Sequence, residues 1–366
     1  MRSYSYRLYG MRVIADLEFP QLCKVRESGV MLMPKETGNS GRNKEDTYNR
    51  KGDCNKKDSY DRINGIREST IYKNHKNEKE ELQVIIRKMS ETEQRRFSEE
   101  HGEGVCISRI GTEESSLSNS TLQMSVLRGK EIRYRCRDGA DPGHLRTYLL
   151  GFGMAMLTLQ RGMLPFHCSA LKTPEGGAVL IAGESGAGKS TLTANLLRQG
   201  YGFLADDMAV VDSASVYGGK ANPVVFPAFP YLKLCRDAVL RQGLSPEKLR
   251  KVEETKAKKD KFLVPYTGEF RTEGVPVKLF VLLGKNTEKN VRVEKITGLN
   301  SMLVYKENLF LRHLWKKRRP EAAVEQEVWQ RCLEMAEKVP VYYVERATAG
   351  DSTAEVAAEV HKLLRS

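Results

Sequence analysis

The chain is 366 residues long, carries 60 Lys and Arg against 47 Asp and Glu, and has a net charge of +13. Its 40% hydrophobic content supports a sizeable core, in one large domain or two ordinary ones. Seven Cys stand singly, without a C-x-x-C pair, and no run of ~18 apolar residues or N-terminal apolar signal region occurs. A disulfide framework, a structural zinc site and a membrane span are therefore not expected, and a reducing cytoplasm is. The positive excess is spread along the chain without a nucleic-acid signature. It points away from nucleic acid and is compatible with an acidic peptide partner.

Tyr4, Tyr6 and Leu8 alternate with polar residues, and Met11, Val13 and Ala15 continue the period. The pattern predicts two half-buried strands broken at Gly10. Leu22, Val25 and Val30–Met33 extend the β character. From about 36 to 81, Lys, Asn, Glu, Asp, Gly and Ser dominate. Such a stretch buries too little surface to offset its chain entropy and reads as a polar, flexible insertion. Leu82–Arg87, Gly104–Ile110, Leu122–Leu127 and Glu131–Cys136 are further strands, the last two joined by a turn at Arg128-Gly129-Lys130. Residues 1–135 thus read as a β-rich N-terminal domain and 136–366 as a second domain.

Asp141-Pro142 opens a helix. Leu145–Leu159 is apolar nearly all round, the mark of a buried helix. It leads to Leu164-Pro165-Phe166-His167-Cys168-Ser169-Ala170. Histidine can orient a carboxylate or tune its proton affinity, and spacing leaves that role and a structural one equally open. Cys168 reads as a small core residue rather than a nucleophile.

Gly183 to Ser190 then fits G-x-x-x-x-G-K-[ST], the phosphate-binding loop, between an apolar strand at Ala178–Ile181 and a helix at Thr191–Gln199 that Gly200 stops. Glycines let backbone N–H groups curl around phosphate oxygens, and the helix N-terminus adds positive potential there. The candidate nucleotide contacts are Gly183, Glu184, Ser185, Gly186, Ala187, Gly188, Lys189, Ser190 and Thr191. Lys189 reaches the outer phosphates and Ser190 is a magnesium ligand. A second strand ends in Asp206 and Asp207, 17 residues after Lys189 at the nearer acid. One carboxylate suits the metal shell and the other suits proton acceptance, in an order the residues leave open.

Ser215–Ala221 reads as a hairpin turn on Gly218-Gly219. Pro223–Pro230 is too proline-rich for a central strand and reads as an extended loop, followed by Lys233 and Arg236, which either face phosphate or are surface bases. Leu244–Lys261 is charged and helical in flavour. Its Lys256, Lys258, Lys259 and Lys261 form a solvated run or a basic loop that closes over a nucleotide. Val275–Leu283 is a central strand. Leu299–Trp315 and Pro320–Val339 are helices, Val341–Val344 is a strand, and Ser352-x-x-Glu355 is a capping box opening the last helix.

Together, His167-x-Ser169-Ala170, a strand, Gly183-x-Ser185-Gly186-x-Gly188-Lys189-Ser190-Thr191, a helix and Asp206-Asp207 resemble the HPr kinase family. The likeness is closest to the members that tailor lasso peptides by phosphorylating a serine of the precursor. Tyr6-Arg-Leu-Tyr-Gly10, Gln160-Arg161-Gly162, Pro227-Ala-Phe-Pro230-Tyr-Leu-Lys233 and Lys259-Asp260-Lys261 add to it. The resemblance implies an α/β fold whose P-loop core, of the HPr-kinase and phosphoenolpyruvate-carboxykinase type, follows a smaller β-rich domain. It implies ATP and Mg²⁺, a ribosomal precursor peptide as partner, and Lys261 as a further nucleotide contact. It favours Asp206 as the base, held by His167, with Asp207 beside Ser190 on the metal. The R-G-x-G-I signature that accompanies phosphate removal in HPr kinase proper is absent, and Pro227–Lys233 occupies that region. HPr or a small molecule as acceptor, and a non-catalytic nucleotide-gated binding protein, are the alternatives; a homo-oligomer is left open. A GTPase is disfavoured because a suitable D-x-x-G is missing after the loop.

Overall fold

The computed structural model describes residues 3–25, 31–34, 82–102, 107–213, 222–252, 260–288, 290–348 and 350–365. The insertion at about 36–81, the Gly218-Gly219 turn, and Lys256, Lys258 and Lys259 lie outside the described residues. The described part is mixed α/β, with mixed sheets.

The chain opens as a hairpin of β1 (Tyr4–Leu8) and β2 (Met11–Ala15). Its turn, Tyr9-Gly10, has φ of 51° and 74°, the left-handed pair that suits a two-residue connection. Gly10 is needed on a second count, because a Cβ there would lie 2.7 Å from the Phe226 ring. β3 (Cys23–Val25), β4 (Met31–Leu32) and β5 (Gln83–Lys88) follow. Helix α1 (Glu91–His101) comes next, where no helix was expected. Its signal is local: Ser90 and Glu93 form a capping box. β6 (Ile107–Arg109), β7 (Glu114–Ser118), β8 (Leu122–Leu127) and β9 (Glu131–Cys136) complete the sheet. Its order among the described residues is β4-β3-β1-β2-β5-β9-β8-β7-β6. β7 was also not anticipated, because its buried positions are mostly serines.

The apolar stretch after Asp141 is not one continuous α-helix. It is α2 (Pro142–Tyr148), a π turn (Leu149–Gly153) and α3 (Met154–Gln160). The π turn falls on Gly151 and Gly153. A Cβ on Gly153 would sit 3.2 Å from Ile132 and 3.5 Å from Met124, so the helix rides close on β8 and β9. One apolar cluster therefore runs from Tyr6 and Val13 through Met124, Met154 and Phe166 to Val341.

The second sheet contains β10 (Leu164–Phe166), β11 (Ser169–Lys172), β12 (Ala178–Gly183), β13 (Gly202–Ala205), β14 (Ala209–Asp212) and β15 (Val224–Phe226). Helix α4 (Lys189–Arg198) connects β12 to β13. β15 corrects the loop reading of Pro223–Pro230. It pairs β14 on one side, and the prolines flank the strand rather than interrupt it. Pro223 supplies the one ladder group it still has, its carbonyl, to the Val277 N–H at 2.7 Å.

β16 (Tyr231–Cys235), α5 (Arg236–Arg241), β17 (Arg250–Val252) and β18 (Lys261–Pro265) follow. Among the described residues of Leu244–Lys261, only Pro246–Lys248 is helical, as one 3₁₀ turn, and β16-β18-β17 form a small antiparallel sheet instead of the expected helix. Alternation, not charge density, decides here. Leu232, Leu234, Phe262 and Val264 share the buried face.

β19 (Val275–Asn286) is the central strand, parallel to β12 and, through its second half, to β21 (Val341–Ala347). β20 (Arg292–Ile296) pairs the outer side of β21. The helix expected over Leu299–Trp315 divides into α6 (Leu299–Glu307) and α7 (Arg312–Trp315), because Leu309 leaves the helix to bridge Phe166. In α8 (Ala322–Lys338), Val324, Val328, Cys332 and Met335 are buried, whereas Leu333 faces out at 43% exposure. The last helix is α9 (Thr353–Arg365), but the expected capping box does not form. Ser352 donates its hydroxyl to Ala347 O, Glu355 accepts from Val291 N, and Asp351 takes the Thr353 N–H at 2.9 Å.

Candidate active site

The site is assembled where β12 ends. β12 is buried along its whole length, and Gly183 closes it at φ 139°. A Cβ on Gly183 would lie 2.5 Å from the Leu283 carbonyl, so only glycine lets the chain leave β12 this close to β19. Gly186 and Gly188 also take left-handed conformations, at φ 82° and 108°, and Gly188 precedes α4 without a side-chain cap. Lys189 folds back over the loop, donating to Gly183 O at 2.5 Å and Glu184 O at 3.2 Å. Burial lowers its pKa, against the opposing pull of Asp206 and Asp207. Ser190 and Thr191 stand in the first turn of α4.

Arg346, on β21, braces the loop from the side. It donates to Ala187 O at 2.8 Å and reaches Gly186 O at 3.4 Å. It was not anticipated, because it lies 157 residues beyond Lys189 and nothing local marks it.

Asp206 and Asp207 do not end a strand. They form the turn between β13 and β14, with Asp207 at φ 71°. Their separation follows from this turn rather than from strand alternation. Asp206 accepts from Ser169 Oγ at 2.8 Å through Oδ1 and from the Lys233 N–H at 2.8 Å through Oδ2. Burial nonetheless raises its pKa, with the Asp207 charge adding to the rise and the two donated hydrogen bonds opposing it. Asp207 behaves oppositely. Burial pushes it up, but Lys233, His167 and Lys261 together outweigh that and hold it below the ordinary carboxylate value. Lys233 Nζ lies 3.1 Å from Asp207 Oδ2.

His167 is half-exposed and stands against Asp207, not Asp206. Its Nδ1 is 3.0 Å from the Asp207 carbonyl and 3.9 Å from Oδ1. Ser169, two residues on, holds Asp206 instead, because β11 pairs both β12 and β13 and so carries it to the strand that precedes the acids. Cys168 is fully buried, and burial pushes its thiol up, as expected of a core residue. The described cysteines are all free.

These residues open on a cavity of about 700 Å³. Gly183, Glu184, Asp206, Asp207, His167 and Lys261 all line it. Lys261 begins β18, close enough for its charge to be felt at both Lys189 and Asp207. Of the nine loop residues, Gly183 and Glu184 thus share the cavity with the two acids, His167 and Lys261. Left-handed glycines, an uncapped helix start and a lysine fit a polyphosphate. Asp207, held ionised, carries the charge a divalent cation needs, and the Ser190 hydroxyl stands in the first turn of α4. Among the described residues no helix is long and apolar enough to cross a membrane.

No family model matches this chain, and no curated protein does. Among solved structures it is similar to the HPr(Ser) kinase/phosphatase from Coxiella burnetii, at 15% identity over 54% of this chain and 88% of that one, with a TM-score of 0.27.

Proposed function

We propose that this chain is an ATP-dependent serine kinase that transfers the γ-phosphate to a hydroxyl of a peptide or protein, with a lasso-peptide precursor as the preferred acceptor. The observation that carries the reading is the pairing of a glycine-rich loop and helix start with two adjacent carboxylates of opposite proton affinity at one cavity. Two titratable groups pushed apart in this way divide an acid-base task between them.

ATP supplies the phosphoryl group, and Mg²⁺ would offset its charge between Ser190 and Asp207. Lys189 would exchange its two loop carbonyls for phosphate oxygens. Asp206, the more basic carboxylate, accepts the serine proton as the serine oxygen bonds to phosphorus and the bond to the bridging oxygen breaks, releasing ADP. Ser169 fixes the orientation of Asp206. Lys233 and His167 keep Asp207 ionised, and Lys261 adds positive charge beside the transferring group. The lasso-precursor preference rests on the sequence resemblance alone.

The test is mass spectrometry of the small peptides encoded beside the gene, after incubation with full-length protein and Mg-ATP. The reading expects a gain of one phosphate, about 80 Da, on a serine, lost in Lys189→Ala and Asp206→Asn. Tight ATP binding without transfer to these peptides or to HPr would favour the nucleotide-gated binding protein or a small-molecule kinase.

A further inference from the structure

The small sheet β16-β18-β17 has two different faces. Leu232, Leu234, Phe262 and Val264 are buried against the core under α4 and β19. The alternate residues, Tyr231 and Lys233, Lys261 and Leu263, Arg250 and Val252, line the cavity. The register places Lys233 opposite Leu263 and Leu263 opposite Arg250, so these three form one row across the sheet. Its cationic ends differ in employment. Lys233 is committed to Asp207. Arg250 is partly buried, and among the described residues no carboxylate or carbonyl accepts from it.

Arg250 is instead set against another cation. Arg146, from α2, lines the same cavity and acts on Arg250 with like charge. Arg146 is held by backbone alone, donating from Nε to Glu18 O at 2.7 Å and from Nη1 to Pro142 O at 3.4 Å. The attractive groups near Arg250 are Asp141 and Tyr231, and Asp141 already accepts the Gly143 and His144 N–H groups as the cap of α2. Burial and the neighbouring Arg146 both lower the pKa of Arg250. Two guanidinium groups on one cavity, from neither of which a described carboxylate accepts, are a site that an anion completes.

We infer that Arg146 and Arg250 form a second anion subsite, which takes a side-chain carboxylate of the peptide substrate. This rests on the kinase reading for the identity of the substrate. The register also fixes its distance from the chemistry. Two strand spacings separate Arg250 from Lys233, roughly 10 Å. An extended peptide advances about 3.3 Å per residue, so the acidic residue lies about three positions from the acceptor serine.

The probes are fluorescein-labelled nine-residue peptides with one serine in an Ala/Gly background and one Glu moved through each position up to four residues either side of it. Binding to full-length protein is read by anisotropy in Mg-ADP. The expected profile peaks about three residues from the serine, roughly tenfold above the Gln counterpart. Arg250→Gln, which removes no hydrogen bond seen in the fold, flattens the peak and leaves ADP affinity unchanged. Arg250→Glu moves the preference to a Lys at the same position. Arg146→Lys, a milder change at a side chain that also braces backbone, weakens the peak. A flat profile in the wild type, or a peak that survives Arg250→Gln, overturns the subsite. Mass spectrometry of the same peptides separates the two claims. A Glu-dependent peak without phosphate transfer keeps the subsite and sinks the kinase reading.

Discussion

At the level of single residues, two adjacent aspartates sit in different environments. Asp206 sits above the ordinary Asp value and Asp207 below it. A base must be ionised to accept a proton, so activity falls as pH drops through the Asp206 pKa, which lies above 3.8. Ser169 stabilises the Asp206 carboxylate by donating to it. Ser169→Ala therefore raises that pKa further and moves the acid limb of kcat/KM to higher pH, with a several-fold loss of rate near the limb. A pH–rate profile checks this; an unmoved limb assigns the base elsewhere. The same two groups act oppositely on stability. Asp207, with its depressed pKa, contributes stability that is present above 3.8 and lost as pH falls below it toward its folded-state value. Asp206, with its raised pKa, costs stability as pH rises from 3.8 through its folded-state value. Asp206→Asn is thus expected to melt above the wild type at pH 7, with the gap closing on acidification, as thermal unfolding at several pH values would show.

Among the elements, the loop between β12 and α4 depends on two contacts of different kinds. Gly183→Ala forces a Cβ to 2.5 Å from the Leu283 carbonyl at φ 139°. It should cost about 3 kcal/mol and abolish nucleotide binding, as thermal unfolding and nucleotide titration would report. Arg346→Met removes the brace on Ala187 and leaves the helix start intact. It should raise the KM for ATP roughly fivefold with little change in kcat, since one hydrogen bond is worth about 1 kcal/mol. These contacts also show which parts of the site were legible in the sequence. The loop, its strand and its helix were, because phosphate binding needs glycine, lysine and a helix start contiguously. Asp206 and Asp207 were found as a pair with His167 beside them, though His167 stands on Asp207 rather than Asp206, and the Ser169 partner was not found. The Ser169 bond depends on β11 pairing both β12 and β13, and the Arg346 brace depends on β21 running beside β19. Such contacts are fixed by sheet order, which no local pattern encodes. In the described part of Leu244–Lys261 the same holds: the start signal at Ser245-Pro246-Glu247 gives only a 3₁₀ turn, because Arg250–Val252 is taken up in pairing with β18.

For the molecule as a whole, the expected division at residue 135 is crossed by continuous packing. The Gln160 side chain accepts the Gly129 N–H at 2.8 Å and donates to Gly111 O and Val126 O at 3.0 Å each. Arg161 adds bonds to Gly129 O and Gln83 O. Gln160→Leu strands several of these groups and should lower stability by about 3 kcal/mol without changing the chemistry of the site. With Trp329 replaced by Phe, Trp315 fluorescence and far-UV circular dichroism should unfold with one midpoint, because Trp315 belongs to the same cluster as Tyr6 and Val13. Two separated transitions would show that the two sheets fold independently.

The central claim is the division of labour between the two aspartates beside one nucleotide loop. Its most direct measurement is ATP affinity with and without Mg²⁺, paired with single-turnover phosphate transfer to a serine peptide, on wild type, Asp206→Asn and Asp207→Asn. Asp206→Asn should keep its Mg²⁺-dependent affinity and lose transfer by at least about a thousandfold. Asp207→Asn should lose the Mg²⁺ dependence of binding. An Asp206→Asn enzyme that still transfers phosphate at a near-normal rate, or an Asp207→Asn enzyme with undiminished Mg²⁺ dependence, would contradict the account.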